Sequence, residues 1–318
     1  MSGPFEQKLT RRGLLKGLGV GLAALVVAGP CGLLERAAKA QGTGPARTMR
    51  NEEDRGMAID DVFIRAFQAH RQKGDLFHHD SHKAHELFQA STIGALMEGV
   101  YDGETTYAEL AKHGDFGLGT FNALDGEMIA FGGRFYQIKS DGKAYPVEPS
   151  QKTPFAVVMR FDPTVKVIYE ELVDWTHFQQ AVDKAVPSKN VFYALLATGA
   201  FDYVKVRAVP RQTKPYPPLA EVAKRQPVYV HEGLKGTLVG YRFPDYTQGI
   251  NVPGYHVHFL SEDRTRGGHV LDFRLKDATV EIDVTSDLHM EVPASGAFLD
   301  TDLSKDQREA IEKAERDR

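Results

Sequence analysis

His256 and His258, in the run Gly254-Tyr255-His256-Val257-His258, are two residues apart. On a β-strand such a pair leaves by the same face. The residues Ser261 to Gly268 that follow are mostly polar and end in Gly267-Gly268, which is turn chemistry. Val270, Leu271 and Phe273 then read as a returning strand. A hairpin closing near Arg264 sets His269 roughly opposite His258, so three imidazoles converge on one sheet face. This stretch organises the chain, because it commits the C-terminal half to antiparallel pairing in one register. Three neutral imidazoles with a free fourth position is how proteins hold a catalytic zinc. The spacing also fits core or surface histidines with a third nearby by chance, and the residues alone leave both readings open.

The first forty residues carry a different signal. Thr10-Arg11-Arg12-Gly13-Leu14-Leu15-Lys16 precedes a weakly hydrophobic run from Gly17 to Gly29, and Ala38-Lys39-Ala40 has the small-x-small form of a cleavage site. Paired arginines before a glycine-containing apolar run resemble a twin-arginine export signal, with cleavage after Ala40. A membrane anchor is the rival, but the run offers only about thirteen residues where a spanning helix needs roughly 20. Lipoprotein processing at Cys31 is disfavoured by Pro30 just before it. The expectation is therefore an exported protein, periplasmic or secreted, that engages the twin-arginine machinery and keeps no stable membrane anchor. The signal's six basic and two acidic residues, once removed, take the formal charge from −4 to −8. Neither value favours nucleic acid as a partner. Removal also takes away Cys31, the one cysteine, so no intramolecular disulfide can form.

Residues 41–56 read as a polar tether, and residues 58–72 fit a short helix or a strand equally well. His78, His79, His82 and His85 form the densest histidine cluster; on a helix, His78, His82 and His85 would align. A solvated segment is the plainer reading. Ser91 or Thr92 can cap a helix through Val100, and Thr106-x-x-Glu109 is a capping box for a second helix that stops at Gly114. Strands broken by glycine turns follow, from Asp115 to about Glu171. A helix is expected from Thr176 to Ala185, then strands from Asn190 to Val209 with a break at Gly199. The proline-rich stretch 210–218 is the best domain boundary, separating an N-terminal mixed-sheet domain (57–209) from a C-terminal zinc-binding domain (210–318). A short helix is expected at Leu219–Lys224, and a charged one from Leu303 onward with Ser304 as its cap. The fold class is mixed α/β of the α+β kind, two domains of mixed or antiparallel sheet with few helices. No βαβ alternation supports a Rossmann domain.

Several stretches together carry a resemblance. STIGALMEGVYDGETT, GDFGLGTFNALDGEM, KTPFAV, GTLVGYRFPDYTQGINVPGYHVHFLSEDRTRGGHVLDF and SDLHMEVP resemble the acetolactate decarboxylase family, from about Glu86 to the C-terminus. The resemblance implies zinc ligands at His256, His258 and His269, and an active-site glutamate at Glu127 in the LDGEM motif. It implies an arginine at Arg207, a second glutamate at Glu315, and Thr120 of GLGTFN facing the pocket. By itself Arg207 would read as a surface ion pair, Glu127 as a turn carboxylate and Glu315 as one more charge on a solvated helix.

The implied activity is that of a carboxy-lyase, converting 2-acetolactate to acetoin and carbon dioxide with Zn²⁺ as the cofactor. A homodimer that buries a sheet edge is a further expectation. The export signal and the histidine cluster depart from the family pattern. The rival functions are a zinc-dependent hydrolase on the same scaffold, and a periplasmic metal-binding protein built on the His78–His85 cluster.

Overall fold

The computed structural model describes Leu25–Ala28 and residues 85–316 apart from 187 and 295. Most of the export-signal segment, the tether, the 58–72 segment and His78, His79 and His82 lie outside the described residues. The described strands are β1 (Leu25–Ala28), β2 (Glu86–Ala90), β3 (Phe116–Thr120), β4 (Glu127–Phe131), β5 (Arg134–Ile138), β6 (Ala144–Pro146) and β7 (Ala156–Met159). They continue with β8 (Val165–Tyr169), β9 (Val173–Asp174), β10 (Phe192–Arg207), β11 (Val228–Phe243), β12 (Gly254–Ser261), β13 (Gly267–Thr285) and β14 (Asp287–Glu291). The helices are α1 (Ile93–Met97), α2 (Tyr107–His113), α3 (Trp175–Ala185), α4 (Leu219–Ala223), α5 (Ala297–Asp300) and α6 (Arg308–Arg316). Among the described residues no helix is long and apolar enough to cross a membrane.

One sheet runs β14-β2-β7-β3-β4-β5-β6, antiparallel except for the parallel pair β14 and β2. The other carries β8, β13, β10, β11 and β12 in that order, with β9 also on β13. Because β12 pairs with β13 as well as β11, the ladder β10-β11-β12-β13 closes on itself. The apolar core lies between the sheets, where Leu118, Ile129 and Val157 of one meet Ala194, Val239, Tyr241 and Leu260 of the other.

The closed ladder explains Gly267 and Gly268. A Cβ on Gly267 would sit 2.4 Å from the Phe259 carbonyl oxygen, and one on Gly268 2.5 Å from that of Arg207. Gly268 also has a φ of +148°, so it is where β13 can lie against β12 and β10 together.

Local chemistry sets the helices. Thr92 caps α1, and Thr106 with Glu109 forms a reciprocal capping box on α2. α3 begins one residue earlier than expected, because Asp174 accepts from the His177 N–H. Asn190 to Val209 contains one long strand: Gly199 marks a register shift against β13, not a break. α6 starts at Arg308, not after Ser304, whose hydroxyl turns to Asp302 while the Arg308 N–H donates to Asp306.

The proline-rich stretch does not divide the fold. β10 before it and β11 after it are paired neighbours, while β14, from the C-terminal half, completes the sheet of the N-terminal half. Everything from residue 85 onward falls in one unit. Long-range pairing overrides a break in composition, and a turn-forming stretch serves as well within one sheet system as between domains.

Candidate metal centre

Strand register builds the centre. His258 on β12 pairs directly with His269 on β13, and His269 pairs on its other side with Arg207 at the end of β10. One row across three strands thus carries two imidazoles and a guanidinium. His256, two residues before His258, adds a third imidazole. On the facing sheet Thr120 and Glu127 are partners in the β3–β4 ladder. The three histidines, Arg207, Glu127, Thr120 and, from α6, Glu315 line one recess, whose other walls include Ile93, Leu96, Leu124 and Phe155.

The donor set fits a metal ion. The His258 Nδ1–H donates to the Met128 carbonyl at 2.8 Å and the His269 Nε2–H to the Glu315 carbonyl at 3.0 Å, leaving one lone pair of each ring turned inward. His258 Nε2 is buried without a hydrogen-bond partner among the described residues. His256 Nε2 lies 3.1 Å from His269 Nδ1, and one donor atom from each of the three rings falls within 4.8 Å of the others. Two nitrogens each about 2.1 Å from a tetrahedral ion stand about 3.4 Å apart, so the nearer pair already has the spacing of shared ligands. Burial first, and then the positive groups around them, hold the His258 and His269 rings well below the usual imidazole range. Both are therefore neutral donors.

Glu127 Oε2 stands 3.7 Å from His258 Nε2. Burial pushes its carboxyl up to about 8; Arg207 and the Val209 N–H pull against that, and Glu315 adds to it. Burial thus favours the protonated acid over the carboxylate. The Thr120 hydroxyl donates to the Gly126 carbonyl at 2.7 Å, so it braces the turn into β4 that delivers Glu127.

Glu315 reaches the centre from the end of a short helix. Its Oε2 is 3.2 Å from Arg207 Nη2, 3.5 Å from His269 Nδ1 and 3.8 Å from His256 Nε2. The last carbonyls of any helix lack intrahelical partners and carry the negative end of its dipole. Here Arg207 Nη1 donates to the Ala314 carbonyl and His269 to that of Glu315, so the centre itself caps α6. Ile311 and Ala314 are buried against the core and fix that approach. All seven residues singled out in the sequence meet here. Sequence reasoning missed Gln226, which lines the same recess after α4 and has no motif to mark it. His85, the described member of the histidine cluster, pairs instead with buried Asp283 at 2.5 Å.

The sequence model of alpha-acetolactate decarboxylase matches residues 87–305, more than half of the chain. This chain belongs to the alpha-acetolactate decarboxylase family. An alpha-acetolactate decarboxylase of Methylococcus capsulatus (strain Bath) is 70% identical over 259 residues, which takes in 81% of this chain and all of that relative. One from Methanosarcina mazei is 47% identical over 230 residues, 72% of this chain and 80% of the relative. The crystal structure of alpha-acetolactate decarboxylase from Bacillus subtilis strain 168 superposes with a TM-score of 0.72 at 39% identity, covering 73% of this chain and all of that one. The family match ends ten residues before Glu315, whose place at the centre rests on the geometry above.

Proposed function

We propose that this chain converts 2-acetolactate to acetoin and carbon dioxide at a zinc ion held by His256, His258 and His269. One observation carries the reading: three inward-facing imidazoles share a buried recess with a buried carboxyl and an arginine. The substrate is a 3-oxo acid, so the electron pair released with carbon dioxide can move onto its ketone oxygen. Zinc bound there supplies Lewis acidity toward the ketone and the neighbouring hydroxyl, so no thiamine or pyridoxal group is needed as electron sink.

The chain's own residues do the rest. Arg207 spends one terminal nitrogen on the Ala314 carbonyl and the other on Glu315. Its Nε, buried without a partner among the described residues, is left to meet a substrate oxygen. Glu127 holds a proton and delivers it to the carbon that has lost carbon dioxide. Standing on one wall of the recess, it approaches from a single face, which fixes the configuration of the product. Glu315 holds the guanidinium in place and keeps a second carboxylate near Glu127.

The test is release of carbon dioxide and acetoin from racemic 2-acetolactate by the purified chain, with zinc counted per chain. Turnover with one zinc, both lost in His258→Ala, is the expected result. Full turnover in that variant would overturn the reading. We propose also that residues 1–40 direct export by the twin-arginine route. Mass spectrometry of exported protein is expected to find Gln41 as its first residue; export unaffected by replacing Arg11 and Arg12 with lysine would count against it.

A further inference from the structure

We infer that Gln226 binds the substrate, its side-chain oxygen accepting a hydrogen bond from the 2-hydroxyl group; this rests on the reaction proposed above. Gln226 lies between α4 and β11 and lines the recess that holds Arg207, Glu127 and the three histidines. Its Oε1 is buried and has no hydrogen-bond partner among the described residues. The backbone beside it is tied to the strand that bears Arg207: the Ala208 N–H donates to the Pro227 carbonyl, and Val228 pairs with Arg207. The side chain therefore starts from backbone anchored to the strand that bears Arg207, and both residues line the one recess.

A buried amide oxygen without a donor is destabilising, so a position like this calls for a ligand that can donate. Arg207 Nε is the complementary case, a buried donor without an acceptor in the same recess. The two atoms do not satisfy each other. The molecule that fits between them donates to one and accepts from the other through adjacent groups. A 2-hydroxy-3-oxo acid does so: its ketone and carboxylate only accept, and its hydroxyl is the one donor it owns. Gln226 would thus tell a hydroxylated 3-oxo acid from one without the hydroxyl, since a site that leaves a polar group unpaired rejects the analogue that lacks its partner.

The experiment compares acetoin, which carries the hydroxyl, with butan-2-one, which lacks it, as ligands of the zinc-loaded full chain by titration calorimetry. The unsubstituted chain is expected to favour acetoin by about tenfold or more. Gln226→Met, similar in size but without the acceptor, should weaken acetoin about tenfold, move butan-2-one by less than twofold and leave the zinc count unchanged. Gln226→Glu keeps an acceptor and should keep the acetoin preference. An unchanged acetoin affinity in the Met variant, or equal weakening of both ligands, overturns the inference. If the Met variant does not fold, loss of the preference in the Glu variant overturns it. Acetolactate turnover by the unsubstituted chain is measured alongside. Its absence overturns the reaction itself, whereas turnover with an unaltered preference in the Met variant overturns Gln226 alone.

Discussion

The centre is assembled from two unlike supports. His256, His258, His269, Arg207 and Glu127 stand on paired strands, and each position is fixed by backbone hydrogen bonds on β4, β10, β12 or β13. Glu315 stands near the end of a nine-residue helix that touches the core through Ile311 and Ala314. Ladder pairing specifies register everywhere along a strand, whereas a helix this short has little stability of its own and depends on docking. The strand-borne groups should therefore hold their places when the helix-borne carboxylate is disturbed, and the reverse should fail.

The largest effect tests the strand side chemically. Glu127→Gln removes the proton but not the shape, so kcat should fall by about 10²–10⁴ with zinc and fold retained. Full kcat would remove Glu127 from the reaction. Ile311→Ala tests the helix side. It takes about 2–5 kcal/mol from the packing under α6, so hydrogen exchange in α6 should quicken and turnover should drop while zinc stays on the histidines. Loss of zinc from that variant would mean the two supports are not separable.

Gly268→Ala strikes the junction of β10, β12 and β13 instead. A Cβ there meets the Arg207 carbonyl at 2.5 Å. The expected cost is about 1–3 kcal/mol of global stability, read as a lower unfolding midpoint with α6 and the strands lost together.

The smallest effect lies away from the centre, at His85 and Asp283. Asp283 raises the His85 ring above its ordinary value, and burial raises Asp283 in turn. Groups with raised folded-state values bind protons more readily when folded, so both contribute stability on the acid side and lose it as pH rises. The His85 share is intact below about pH 6.5 and fades as pH climbs through the folded value. The melting-point advantage of the unsubstituted chain over His85→Gln should accordingly be larger at pH 5.5 than at pH 8.5. An equal advantage at both would assign the pair no linkage.

The three histidines of the centre were legible in the residues themselves, whereas Arg207 and Glu127 came only through the family resemblance. HxH spacing and a glycine-ended turn are local signals, and they place His258 against His269 without any long-range information. The Thr92 cap of α1 and the capping box of α2 were legible for the same reason. Glu315 likewise came through the resemblance alone: a helix of mostly charged residues looks solvated when two small contacts, Ile311 and Ala314, carry its docking. The sheet system was not legible, because which strand pairs with which is decided by contacts far apart in the chain, as in β2 with β14. Gln226 had no signal at all, since a glutamine before a proline is ordinary until its oxygen is found buried and unpaired.

The parallel pairing of β14 with β2 has a consequence for biosynthesis. Their partners are about two hundred positions apart, Glu86 with Asp287 at one end and Ala90 with Glu291 at the other. As the polypeptide leaves the ribosome, β2 can gain β7 early, but its other side stays bare until β14, some two hundred positions later, has emerged. The nascent chain therefore carries an open strand edge while those two hundred positions are made, and that interval is where a chaperone has the most to protect.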